Sequence, residues 1–431
     1  MDFIVSKYYF MRKKFFSNDL SIKYVLSVFF NLYLFIVFFD IMRDALPVPK
    51  FANILISGMR DISLYLTVIY ILASRRSVIL GFKAFYILGY MCIPFFMWIG
   101  NAWDGNSGNH TLGTVIQFCI LSAKAWLFLY VLQNLKLFYV FEKRNILKNF
   151  VSIAVFMLLF SLMVYFFFPW IITKYNLANR VGLGNMSIQS GVYCCAYILC
   201  LFFWPYKTTI TNYVVLFVLF AGILLSVCST GIIAVLISSI AFSFEKRTRK
   251  RSLIILCVIV MGCAIVVIKY YTILVAFFDY FWMKAEHVFD LIGNLFAEKK
   301  HTTKSASFHA RELQIKNVLE NHNAVIDRFF GHGFFSITDE SIFIENTYFA
   351  LYFDCGIYGL AVLASIIMVM GIKSLRFFVR NKTFLGLISL MTFLLFMTTL
   401  DISIGPGLSS AFVILFWCIF IDKSFLGGIE I

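Results

Sequence analysis

Apolar runs of about 20 residues recur along the chain, and a run of that length crosses the hydrocarbon of a bilayer as a helix. They fall near 22–42, 51–73, 78–99, 112–133, 149–172, 188–206, 210–227, 229–244, 252–275, 346–372, 383–400 and 404–421. The pattern predicts an all-α polytopic membrane protein of about twelve transmembrane helices. The breaks are short, the tightest lying around Ser226 to Thr230. One long polar interval, 276–345, stands out. It divides the chain into 1–275 with nine spans, the interval itself, and 346–431 with three more spans and a tail.

Charge orients these runs. Basic residues gather in every second break: Lys7 to Lys23, Arg75 and Arg76, Lys136 to Lys148, Lys207, Lys246 to Arg251, and Lys373 to Lys382. Cytoplasmic loops carry such an excess. Both termini are therefore expected in the cytoplasm, which requires an even number of spans. The opposite side is external, or periplasmic in a Gram-negative cell. It takes the loops 43–50, 100–111, 173–187 and 401–403, the turn at 226–230, and the long interval.

Composition fits this assignment. The chain has 431 residues, 61% hydrophobic and only 14% charged, against about 25% charged in soluble domains. The net charge of +15 would suggest nucleic acid in a soluble protein. Here basic cytoplasmic loops account for it, and no nucleic-acid partner is expected. Most of the ten cysteines lie in apolar runs, without a CxxC, and read as packing residues. Asp40, Arg60, Asp61 and Lys124 fall within spans. Charge in lipid is costly and is normally paired. Lys124 with Asp61 or Asp40 is the expected structural pair, and a proton or ion path is the alternative.

Candidate chemistry concentrates in the long interval. Residues 276–300 read as an amphipathic helix on the membrane surface. Helical periodicity returns from Phe308 to His322, with Arg311 at the border of the apolar stripe. Arg328 follows, and then Gly331-His332-Gly333, where glycine permits a tight turn whose N–H groups can face an anion. Asp339, Glu340 and Glu345 precede the tenth span. A carboxylate at that mouth can serve as a base toward a hydroxyl; it can equally complement the helix dipole. All six His lie on the external side, without the spacing of a helical metal site. In the shorter loop 173–187, Arg180 runs against the orientation bias, and either an anionic ligand or a lipid headgroup gives it a reason.

These features together resemble the O-antigen polymerase and O-antigen ligase superfamily, the Wzy and WaaL type. The resemblance covers the topology of nearly the whole chain. In sequence it rests on Arg180 with Gly191 eleven positions on, Arg311, Gly331-His332-Gly333, and Asn346 through Gly356 and Gly359. It implies a glycosyltransferase in the bacterial inner membrane that works at the periplasmic face. Polymerases of this kind move a growing glycan from undecaprenyl diphosphate onto the next lipid-linked repeat unit, in the synthesis of lipopolysaccharide or a related polysaccharide. The donor is already activated, so no cofactor is implied, and a chain-length regulator is an implied partner.

On this resemblance Arg180 and Arg311, with Arg328 in support, would bind the carrier diphosphate, which guanidinium forks suit. Glu345, or Glu340 or His332 in its place, would act as general base or orient the acceptor. Ligases of the superfamily carry a His at the mouth of the helix after the large loop. Here that mouth reads Ile344-Glu345-Asn346-Thr347, which favours a polymerase over a ligase. A lipid-linked oligosaccharide flippase is a weaker alternative, because no half-to-half repeat is visible and the external loop is long.

Overall fold

The computed structural model describes residues 19–43, 45–73, 143–172, 186–226, 228–269, 346–398 and 406–416, together with 124, 127–132, 134, 183, 328, 329, 331 and 419. The described residues are helical and include no strand. The helices are α1 (Asp19–Arg43), α2 (Lys50–Ala73), α3 (Lys143–Phe167), α4 (Met186–Phe203), α5 (Thr209–Leu225), α6 (Ser229–Ser243), α7 (Arg249–Lys269), α8 (Thr347–Asn381), α9 (Leu385–Met397) and α10 (Pro406–Phe416).

Among the described residues four segments are long and apolar enough to cross a membrane: Val25–Arg43, Lys50–Leu72, Ile146–Phe167 and Cys355–Asn381. Shorter apolar helices pack among them. Large apolar side chains on the outside, such as Phe51, Ile54, Phe156, Val260 and Met368, are what a surface solvated by lipid presents. The protein is thus a helical, membrane-embedded protein.

The bundle is built around α4. Every residue from Gln189 to Phe202 is buried, and α3, α5, α6, α9 and α10 pack around this helix. A helix can be enclosed this closely only where small residues let backbones approach. Ser190 lies against Gly231 of α6, and Leu408 of α10 and Phe396 of α9 close on Gly191. Cys194 Sγ donates to the Gly231 carbonyl at 3.5 Å. The same device recurs between α5 and α3, where a Cβ on Gly222 would stand 2.6 Å from Leu158 Cδ2. At the other end of α4, Phe202 packs on Phe242 of α6 at 5.8 Å between ring centroids.

These contacts define two faces. The upper face holds the starts of α4, α6, α8 and α10 and the end of α9. The lower face holds the end of α4 and the starts of α5 and α7. The helix α3 runs upward, since Ser152 near its start bonds Tyr206 just after α4 at 2.8 Å. So does α1, whose Asn31 accepts from Asn149 (2.9 Å) and whose Met42 Sδ accepts from Ser161 (3.7 Å). The described helices alternate up and down. The end of α2 and the start of α3 both meet the lower face; the spans expected near 78–99 and 112–133 lie largely outside the described residues. Helix α7 points to the upper face, where α8 begins.

The tenth span departs from the sequence expectation. The apolar run reads as one span from 346 to 372, but Gly356 breaks α8 with φ 60° and ψ −157°, a conformation open to glycine and hardly to any other residue. Gly371 lies against Leu390 and Gly386 against Ser374, which fixes the register of α8 on α9. On that register a straight α8 would carry Asn346 about 25 Å beyond the end of α9. Asn346 Nδ2 instead donates to the Thr398 carbonyl at 3.1 Å. The segment 347–355 therefore folds back over the end of α9, and the apolar span starts at Cys355. It continues to Asn381 as one helix, so Lys373, Arg376 and Arg380 lie on a helical extension and not in a loop.

Candidate functional site

The two polar stretches singled out by sequence end on the same face. The loop 173–185 enters α4. Its described residue, Leu183, is buried, and its carbonyl accepts from Gln189 Nε2 one turn inside that helix. The long interval enters α8 at Asn346. The Asn346 side chain accepts from the N–H of Tyr348 at 2.9 Å and of Phe349 at 3.4 Å, and so caps the helix. The sequence reading left that role open for Glu345; the cap is the next residue.

The two entrances are joined through α9. Gly191 of α4 touches Phe396, and two residues on, Thr398 takes the Asn346 amide. The chain from Leu183 to Asn346 is thus fastened across the upper face by one helix end. Gly331 has φ 75°, as the expected tight turn needs, and is buried. Arg328 is exposed. Arg180, Arg311, His332, Glu340 and Glu345 lie outside the described residues. Among the described residues no group of three or more His, Cys, Asp and Glu gathers.

A second constellation lies toward the upper ends of α1 and α2. Arg43 Nη1 pairs with Asp40 Oδ1 at 3.0 Å. Arg60 bridges the Asp40 and Asp61 carboxylates, reaching Asp61 Oδ1 from Nε at 2.9 Å. Lys124 Nζ meets Asp61 Oδ2 at 2.7 Å. The pairing of Lys124 with Asp61 is the one expected from the rule that charge in lipid finds a partner. Missed was Arg43, which sits at a span end; its spacing of three from Asp40 was the available signal.

Basic side chains collect at the lower face. Arg251 Cζ stands 4.2 Å from the centre of the Trp204 ring, and its Nη1 donates to the Leu201 and Phe202 carbonyls at 3.4 and 3.3 Å. It thereby closes the end of α4, where a cation also meets the negative helix terminus. Arg247 covers Phe202 at 5.0 Å. Between them and α8, Glu245 is buried. Burial pushes its carboxyl above the usual range, while the Thr383 hydroxyl, the Phe384 N–H and Arg247 oppose that shift. Its Oε2 has no hydrogen-bond partner among the described residues.

No protein-family model matches the chain, and no curated protein matches it.

Proposed function

We propose that the protein is a glycosyltransferase that polymerises lipid-linked oligosaccharide repeat units at the periplasmic face of the bacterial inner membrane. It takes the growing glycan from undecaprenyl diphosphate and places it on the next lipid-linked unit. One observation carries the reading: the Arg180 loop and the interval bearing Arg311, Arg328, His332, Glu340 and Glu345 feed helices whose starts are tied together through α9. Groups that must converge on one diphosphate and one hydroxyl need such a common base.

Twelve spans with both termini in the cytoplasm complete the proposal. The parity of the described helices agrees with it. So does the sorting of charge, since Lys207, Lys246 to Arg251 and Lys373 to Lys382 meet the lower face. Exposed Phe166, Phe167 and Trp170 at the upper end of α3 suit the interfacial belt where aromatic rings settle.

In the reaction the bond from the donor sugar's anomeric carbon to the diphosphate oxygen breaks, and one to the acceptor hydroxyl oxygen forms. Arg180 and Arg311 take the charge that grows on the leaving diphosphate. The acceptor proton passes to a base, with Glu345 the first candidate and Glu340 and His332 the others. The undecaprenyl diphosphate released keeps its charge, so no cofactor enters, and a chain-length regulator would set when the cycle stops.

The test replaces the native gene by variants Arg311→Ala and Glu345→Gln and separates the extracted polysaccharide on a gel. Products stopping at one repeat unit support the polymerase. Loss of the attached unit as well assigns the ligase reaction instead, and a normal ladder from both variants overturns the site.

A further inference from the structure

Helix α8 carries its cations as a stripe. Its apolar span, Cys355–Asn381, has 27 residues, about 40 Å of helix against about 30 Å of hydrocarbon. Charge places the excess at the lower end, where Lys373, Arg376 and Arg380 are all exposed. They follow one another at three and four residues, so they line one side of the helix over about 10 Å. Ser374, which lies against Gly386, and Phe378, whose ring centroid is 4.8 Å from that of Phe384, hold another side on α9 and the turn before it. The cation stripe is about 150° around the helix from these two residues, and so faces away from α9.

Like charges at these spacings repel. From Cys355 to Met397 the sequence has no Asp or Glu to relieve them. The carboxylate packed against this hairpin, Glu245, is buried and meets the Thr383 hydroxyl and the Phe384 N–H beyond the helix end. Among the other acidic residues in breaks of this parity, Asp2, Asp19 and Glu142 share their segments with more numerous basic ones. Asp422 and Glu430 share theirs with Lys423, which leaves one negative charge against the four cations Lys373, Arg376, Arg380 and Lys382. The negative end of the helix accounts for Arg380 in the last turn, but its influence fades before Lys373. Beside the cations runs an apolar stripe. Met368, Ile372, Leu375 and Val379 recur at steps of three and four and are exposed, Val379 to 76%. This stripe begins in the part of α8 that lipid solvates and continues unbroken to the last turn. A soluble acidic partner has no use for that continuity, whereas a lipid meets both stripes at once.

We propose that the lower end of α8 binds an acidic phospholipid of the leaflet at that face, with its acyl chains along Met368 to Val379 and its phosphate on Lys373, Arg376 and Arg380. Arg376, in the middle of the stripe, offers a guanidinium fork to the phosphate oxygens, and its neighbours add charge on either side. A zwitterionic lipid brings a cation of its own to a stripe that already repels, so the site selects for net negative charge. It does not depend on the polymerase reading.

The experiment is native mass spectrometry of the full chain released from nanodiscs that hold phosphatidylglycerol and phosphatidylcholine in equal amounts. Wild type is expected to retain phosphatidylglycerol over phosphatidylcholine by about tenfold. Arg376→Gln and Arg380→Gln each lower that retention by about fivefold, the effect of one basic residue at a charged surface. Lys148→Gln, which removes an exposed cation of α3 on the same face, leaves it unchanged. Melting curves verify that the variants fold, and Arg376→Lys, which keeps the charge, recovers part of the loss. Equal losses from Lys148→Gln and Arg376→Gln overturn the proposal, because the attraction then belongs to the whole face. Displacement of the lipid by inorganic phosphate overturns it too. Displacement by an oligoglutamate peptide does the same and assigns the stripe to a soluble acidic partner.

Discussion

Glu245 and Asp40 are both buried carboxylates, and their surroundings set opposite consequences for losing the charge. Glu245 has its carboxyl raised by burial. Its folded pKa then exceeds its unfolded one, so the folded state binds the proton more strongly, and stability falls as pH rises through the window between the two. Glu245→Gln mimics the protonated form and lacks this dependence. Melting curves in detergent should give the variant its largest advantage at about pH 8 and none at about pH 4, below the ordinary glutamate value. Asp40 holds two guanidiniums. Asp40→Asn leaves Arg43 without its carboxylate and Arg60 with Asp61 alone, and should cost about 3 kcal/mol in denaturant titrations. Asp61→Asn should cost less, because Asp61 is about a quarter exposed, at 26%. The Asp61–Lys124 pair was legible in sequence because a charge within an apolar run must be matched. Glu245 was not, because it sits in a basic stretch that reads as a solvated loop and is buried only by the α8–α9 turn.

At the scale of elements, hydropathy located the described helices and misplaced the start of one span. Composition reports that a run is apolar but not that a single residue within it has a positive φ. Gly356 and Gly359 were visible three apart, yet only the register of α8 on α9 reveals that the chain doubles back at the first of them. The close α4–α6 approach is likewise a matter of two particular positions. Gly231→Ala places a methyl against Ser190 Oγ and is expected to destabilise the protein by about 1–3 kcal/mol. Adding Ser190→Gly should restore part of the loss, as read from the shift in melting temperature in a double-mutant cycle.

For the molecule as a whole, the alternation of basic and non-basic breaks anticipated the up-and-down course of the helices, because each crossing carries its flanking charges to one face. Which helix sits in the middle was not legible. Residues 186–203 are no more apolar than their neighbours, and centrality comes from the small residues Ser190, Gly191 and Cys194 meeting partners that lie far along the chain. The candidate site is an expectation from residue types that the sequence puts in breaks of one parity. Its common base, from Leu183 through Gly191 and Phe396 to Asn346, depends on a contact between residues 205 positions apart, Gly191 and Phe396, and on one 52 positions apart, Asn346 and Thr398, and needed the fold.

The enclosure of α4 bears on how the protein is made. A ribosome delivers α4 before α9 and α10, yet those last two helices wall it on one side and supply Phe396 and Leu408 against Gly191. Until they arrive, Gly191 and its neighbours face lipid or a temporary partner. The centre of the molecule is therefore closed only when α9 and α10 arrive, and loss of those helices opens it from within instead of trimming its rim.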